Sequence, residues 1–313
     1  MNSIEKMNKH GEDRKPFFVL CDFELQNSLV LEEHELEQYG IRYEFDSKNT
    51  KKAEYNFNKF PISYELYKDA FLKVIEEIKS GNVYMLNLCF STRLDTSLSL
   101  EDIYKHSEAK FKLYKKDDFV CFTPEIFVTI ENDKISTYPM KGTIEATLKD
   151  AKKNLLEDEK ELAEHVMVVD LLRNDIGIMG RDIRVESFRY IDEVQTSSKP
   201  LLQCSSKISA SLSSDWHKSI GEIFFSLLPA GSVSGTPKSS ALEIIKKVEP
   251  TKRGYFCGVA GVYDGEKFRS FVLIRFIEKN RGTLYYKSGG GITIDSSAKK
   301  EYNELGEKVY VTF

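Results

Sequence analysis

What the chain lacks narrows its possible functions. Among 313 residues there is no basic surplus: 45 Lys and Arg stand against 49 Asp and Glu, a net charge of −4. Nucleic-acid and anionic-membrane surfaces need the opposite balance. No apolar run approaches the roughly 18 residues of a spanning helix. Residues 1–15 are polar, without the apolar core of a secretion signal. A cytoplasmic protein is expected, with neither nucleic acid nor membrane as a partner. The five cysteines, Cys21, Cys89, Cys121, Cys204 and Cys257, form no CxxC pair. They read as reduced core residues, not as a disulfide frame or zinc site. The five histidines form no HExxH, the Gly/Ser-rich loop 231–238 does not fit a P-loop, and no repeat or low-complexity linker occurs.

What is present centres on residues 152–175. Without Pro or Gly from Lys152 to Leu172, this stretch reads as one helix. Its middle, 166–172, is apolar nearly all round except Asp170, as in a helix buried on most sides. Glu161, Glu164 and His165 precede that middle, and Arg173, Asn174 and Asp175 follow it. Buried carboxylates need a cation, hydrogen bonds or a metal.

Elsewhere the pattern predicts helices over 63–80, 98–106, 215–228, 238–248 and 296–309. Thr236 is expected to cap the helix beginning at 238, with Pro237 at its first position. Strands are expected near 16–23, 83–92, 118–131, 134–139, 183–186, 188–194, 258–264, 268–278 and 283–287. Residues 1–15 read as a frayed lead-in, 29–55 as irregular, 141–147 as a loop and 206–212 as ambiguous. Strands without strict βα alternation argue an α+β fold with a large mixed or antiparallel sheet system. Residues 1–75 read as a short N-terminal segment packing on a core of 76–313.

Four features could carry chemistry, though each alone has an ordinary structural explanation. Lys141 ends a strand beside Gly142, and a lysine amine is a nucleophile when its pKa is lowered. The 231–238 loop precedes a helix N-terminus and could face an anion. Gly289, Gly290 and Gly291 follow a strand and could offer backbone amides to a carboxylate. On the last helix Glu301, Glu304 and Lys308 share a face; with Glu164 the two carboxylates would suit a hard cation such as Mg²⁺.

Together these segments resemble the chorismate-utilising enzymes, the family of the anthranilate synthase and aminodeoxychorismate synthase large subunits. Pro139-Met-Lys-Gly-Thr143 is similar to the family's Pro-Ile-(Lys/Ala)-Gly-Thr, and Ala163 to Asp175 is nearly its helix motif. Gly231 to Lys238 is similar to Gly-Ser-Ile-Thr-Gly-Ala-Pro-Lys, and Thr123-Pro-Glu-Ile-Phe127 to Ser-Pro-Glu-Arg-Phe. Ser288 to Ile292, Asp295-Ser296 and Glu301-Tyr-Asn-Glu304 resemble its C-terminal signature. The resemblance spans roughly residues 75–313.

The resemblance implies two packed, mostly antiparallel β-sheets wrapped by helices. It implies that Glu164 and Glu304, with Glu301 close by, bind Mg²⁺, which holds the ring carboxylate of chorismate. Gly142 and Thr143 would line the substrate. Arg275 and the amides of Gly289 to Gly291 would hold its side-chain carboxylate, with Lys308 near a carboxylate. Glu125 would transfer protons.

Aminodeoxychorismate synthases often carry Lys where this chain has Lys141, whereas anthranilate synthases typically carry Ala. That implies covalent attack by Lys141 and amination at C4, with ammonia from a separate glutaminase. Isochorismate and salicylate synthases use a lysine to activate water where this chain has Met85. Met85 and Gln203 depart from the usual Gln and His of the amine-using branches. The N-terminal part is also short compared with relatives that carry a tryptophan site. The alternatives are anthranilate synthase and a non-catalytic chorismate-binding subunit.

Overall fold

The computed structural model describes residues 1–48, 54–194 and 200–312. Two antiparallel sheets form its centre. The first is ordered β10 (Met140–Glu145), β12 (Leu201–Ser211), β9 (Lys134–Thr137), β8 (Ile126–Glu131), β15 (Phe268–Val272), β14 (Val259–Tyr263), β1 (Phe17–Cys21) and β2 (Ser28–Leu31), with β11 (Arg181–Val194) also pairing β12. The second runs β13 (Gly235–Thr236), β5 (Met85–Thr96), β17 (Thr283–Ile292), β16 (Phe276–Asn280), β7 (Phe119–Thr123), β6 (Ala109–Lys115) and β3 (Ile41–Ser47), with β4 (Phe57–Phe60) on β5. The fold is α+β, and the N-terminal strands belong to both sheets. The sheets meet through aromatic rings. Phe111 of the second stacks on Phe271 of the first at 4.6 Å, and Tyr43 stacks on Phe18 at 5.4 Å.

Two expected long strands each break where the chain passes from one sheet to the other. Residues 118–131 divide into β7 and β8 around Pro124-Glu125, since Pro cannot extend a central ladder. Residues 268–278 divide into β15 and β16 around Leu273 to Arg275, where Arg275 takes φ +54. The crossovers lie side by side. Phe122 N donates to Arg275 O at 3.1 Å, and Val272 N donates to Glu125 O at 3.1 Å. Glu125 and Arg275 therefore sit where neither sheet continues.

Other expectations need correction. Residues 3–12 form a helix, α1, closed by an Asn2–Glu5 capping box, with Met7 fully buried. Residues 29–48 hold β2 and β3; in β3, Ile41 and Ser47 bury and the residues between them alternate. Residues 49–53 of the expected irregular segment lie outside the described residues. Strand β6 was not foreseen. The central helix is two: α4 (Ala151–Glu157) and α5 (Glu159–Gly177), because the Asp158 side chain accepts from Glu161 N at 2.9 Å and restarts it. Helix α5 is not buried all round, for Leu162, Val166 and Asp170 face solvent.

Thr236 pairs with Met85 as strand, and Pro237 takes the cap position of α7 (Lys238–Val248). Residues 183–186 and 188–194 form one strand, β11, and 206–212 mostly belong to β12. The 215–228 helix begins as a 3-10 turn over Trp216–Ser219 and becomes α6 (Ile220–Ser226). Helices α2 (Tyr64–Lys79), α3 (Leu100–His106) and α8 (Ala298–Glu307) form where the periodicity places them. In α2, though, Leu66 is exposed while Tyr67 and Phe71 are buried.

Candidate active site

A cavity of about 570 Å³ opens beside the two crossovers. Glu125 and Arg275 line it from the sheet junctions, Glu164 from α5, and Glu301, Glu304 and Lys308 from α8 and its cap. Lys141 and Gly142 line it from β10, and Gly289 to Gly291 from β17. Thr143 pairs with Gln203 in the ladder, and its side chain lies outside what is described.

Lys141 is not on a loop. β10 is a strand whose register against β12 shifts between Met140 and Thr143, so Lys141-Gly142 form a bulge that aims the lysine into the cavity. Gly142 has φ +78, and a Cβ there would meet Leu155 Cδ1 at 2.9 Å and Glu161 Oε2 at 3.2 Å. Only glycine fits both the conformation and the space. Lys141 Nζ donates to Glu164 Oε2 at 3.4 Å. It lies 3.4 Å from where a Gly291 Cβ would stand, with Met85 Sδ 3.6 Å from the same point.

The three glycines lie within β17, not after it. Opposite them, Asn87 N donates to Ser234 O and Cys89 N to Glu249. Gly289 and Gly291 are therefore at the non-bonded positions of the β5 ladder and turn their polar groups away from it. β16 ends its pairing at Lys287, so that side of β17 faces the cavity. Gly289 O accepts from Lys308 Nζ at 2.9 Å.

Helix α5 presents Glu161, Glu164, Val168 and Leu172 as one stripe to the cavity. Helix α8 presents Glu301, Glu304 and Glu307. Lys308 Nζ bonds Glu304 Oε1 at 2.7 Å, and Arg275 Nη1 donates to Lys308 O at 3.1 Å. Burial pushes the Glu125 carboxyl up from its ordinary value, against the Ser232 hydrogen bond and the nearby Lys141, Arg275 and Lys308.

The 231–238 loop meets two carboxylates of the chain itself. Ser232 bonds Glu125, a Gly231 Cβ would lie 2.7 Å from Asp175 Oδ2, and Lys238 pairs with Asp175 at 2.9 Å. Among the described residues no three His, Cys, Asp or Glu side chains converge as a metal cluster. The donor chemistry nevertheless suits a hard divalent ion, since carboxylates from two helices line one cavity; Lys141 and Lys308 bond two of them.

Residues 8–313 match the family model described as chorismate binding enzyme. The chain belongs to the chorismate-binding enzymes. It is 45% identical over 313 residues to an uncharacterized PabA-like protein of Haemophilus influenzae, covering 98% of this chain and 95% of that one. It is 32% identical to aminodeoxychorismate synthase component 1 of Bacillus subtilis, covering 80% of this chain but 55% of the relative. The crystal structure of anthranilate synthase component I from Streptococcus pneumoniae superposes with a TM-score of 0.66 at 25% identity, covering 82% and 59%.

In this chorismate-binding enzyme some cavity residues escaped sequence reasoning. Glu161, noted beside Glu164 in the sequence but given no place at the site, lines the cavity three residues before it, as Glu301 stands three before Glu304. Glu307 repeats the spacing three after Glu304, Ser232 lies in the 231–238 loop already singled out, and Tyr286 had no signal. Gln203 also lines the cavity. No helix among the described residues is long and apolar enough to cross a membrane.

Proposed function

We propose that the chain aminates chorismate at C4, as an aminodeoxychorismate synthase component I, with ammonia from a glutaminase subunit. The position of the Lys141 amine in the cavity, next to Gly291 and across from Glu125, carries this reading. Lys141 first gives up its ammonium proton to solvent; the amine then attacks C2 of chorismate, the two ring double bonds shift, and the C4 hydroxyl leaves as water with the Glu125 proton. Ammonia then attacks C4, the double bonds shift back, and the C2–N bond breaks to release the lysine as its amine. The new C4 ammonium returns a proton to Glu125. Covalent attack divides one difficult displacement into two easier ones. A carboxyl raised by burial holds the proton that the first step needs.

Arg275, Lys308 and the glycine amides receive the side-chain carboxylate. Glu164 and Glu304, with Glu301 beside them, would hold Mg²⁺, which when bound would offset the ring carboxylate's charge. Intact-mass analysis after soaking in chorismate without ammonia tests the reading. The expected result is an adduct of chorismate minus water, lost in Lys141→Ala. An unmodified chain that still turns over would show that the lysine is not the nucleophile.

A further inference from the structure

Seven buried side chains among the described residues hold a polar atom without a well-aligned hydrogen bond: Thr92, Ser107, His165, Asp175, Arg189, Ser205 and Tyr286. Of these, Tyr286 alone lines the cavity. It is 1% exposed, and such a hydroxyl costs stability unless something else bonds it. The ring is fixed on the far side of the second sheet, in an apolar cluster with Val120, Phe122 and Ile277. Its hydroxyl accepts a weak hydrogen bond from the Arg275 guanidinium, so only its own proton lacks a partner; that guanidinium lies over the Tyr310 ring at 4.6 Å and anchors to Lys308 O. Burial pushes the Tyr286 hydroxyl well above its ordinary value, so it keeps its proton and can only gain from an acceptor.

We infer that the Tyr286 hydroxyl completes a carboxylate subsite with Arg275 and is a further substrate-binding residue of this enzyme. The inference rests on the chorismate reading above. It assigns the occupant as the carboxylate on the substrate's enolpyruvyl side chain. In the free enzyme the hydroxyl proton has no acceptor, and the ligand carboxylate supplies one. Removing the hydroxyl therefore leaves the free protein as stable or more stable and weakens the complex, a combination that a packing role does not produce.

The test is Tyr286→Phe in the full chain, with urea unfolding of the free protein and calorimetric titration of chorismate. A second probe is 4-hydroxybenzoate, which has a ring carboxylate and no enolpyruvyl group. The expected result is a free-state midpoint equal to or above that of the native chain, a chorismate Kd raised about tenfold or more, and 4-hydroxybenzoate binding unchanged. Unchanged chorismate affinity, equal weakening of both ligands, or a less stable free protein would each overturn the assignment. A native chain that binds no chorismate would overturn the chorismate reading along with it. Native binding with no effect of the variant would overturn the Tyr286 assignment alone.

Discussion

At the scale of single residues the account turns on Lys141 and Glu125. Lys141→Ala is expected to lower amination on the order of 10³-fold while chorismate binding stays within a fewfold, measured by product formation and by titration. Equal losses in both would make the lysine a binding group. Glu125 gives a pH signature with a defined sign. Its folded carboxyl is raised, so the native state holds a proton that the unfolded chain has lost. The associated stability is present below the ordinary glutamate pKa, about 4.3, and declines as pH rises through the folded value. Glu125→Gln should therefore remove a pH-dependent decline in stability and also the alkaline limb of the rate profile. If both profiles keep their shape, Glu125 is not the titrating acid. Much of this was legible in residue order, because Lys141-Gly142 and Glu164-His165 each stand in a distinctive local string. Tyr286 was not, since nothing before the fold tells which tyrosine is left without an acceptor for its proton.

At the scale of elements, the break between α4 and α5 and the glycine strand set the geometry. The Asp158 cap fixes the turn that carries Glu161 and Glu164. Asp158→Ala should cost about 1 kcal/mol by urea unfolding; an unchanged midpoint would mean that packing alone starts the helix. In β17 the neighbouring glycines should separate folding from binding. A Gly289 Cβ would collide with Cys89 Sγ, whereas a Gly290 Cβ would stand in the cavity 3.6 Å from Glu301 Oε2. Gly289→Ala should destabilise the fold. Gly290→Ala should fold with a native midpoint and lose chorismate affinity, and a Gly290→Ala chain binding normally would place the substrate elsewhere. The span of helix α2 was readable from its apolar period, while its Ser63 cap came only with the structure. The cut at Asp158 was not, because the sequence there has no Pro or Gly and reads as continuous helix. Strand β10 read as a loop because Lys141-Gly142 is a bulge, which interrupts the alternation that marks a strand.

At the scale of the whole molecule, two sheet-to-sheet crossovers bring residues 150 positions apart in sequence, Glu125 and Arg275, to one cavity. Strand propensity says where a chain is extended but not which sheet it joins, so both crossovers read as unbroken strands. Sheet membership depends on pairing partners far along the chain. The N-terminal helix likewise owes its existence to packing: Gly221 N bonds the Asn8 side chain, and Met7 fills the core. The same arrangement bears on acid stability. His165, buried and bonded to Ser206 at 2.6 Å, is pushed down to about 4 by burial and by Arg189 and Lys141. Between the ordinary histidine value and that one, the unfolded chain takes up a proton that the native state refuses. Stability should fall as pH drops through this range, by on the order of 2–3 kcal/mol from this group, and His165→Gln should flatten the fall in urea titrations at stepped pH.

The central claim, that this cavity aminates chorismate through Lys141, is tested most directly by identifying the product. The full chain is incubated with chorismate, Mg²⁺ and ammonium at mildly alkaline pH, with and without a glutaminase and glutamine, and the products are resolved by chromatography and mass. The account predicts aminodeoxychorismate, convertible to 4-aminobenzoate by an added lyase and absent with Lys141→Ala. Anthranilate as the product, or chorismate bound but never consumed, would contradict it.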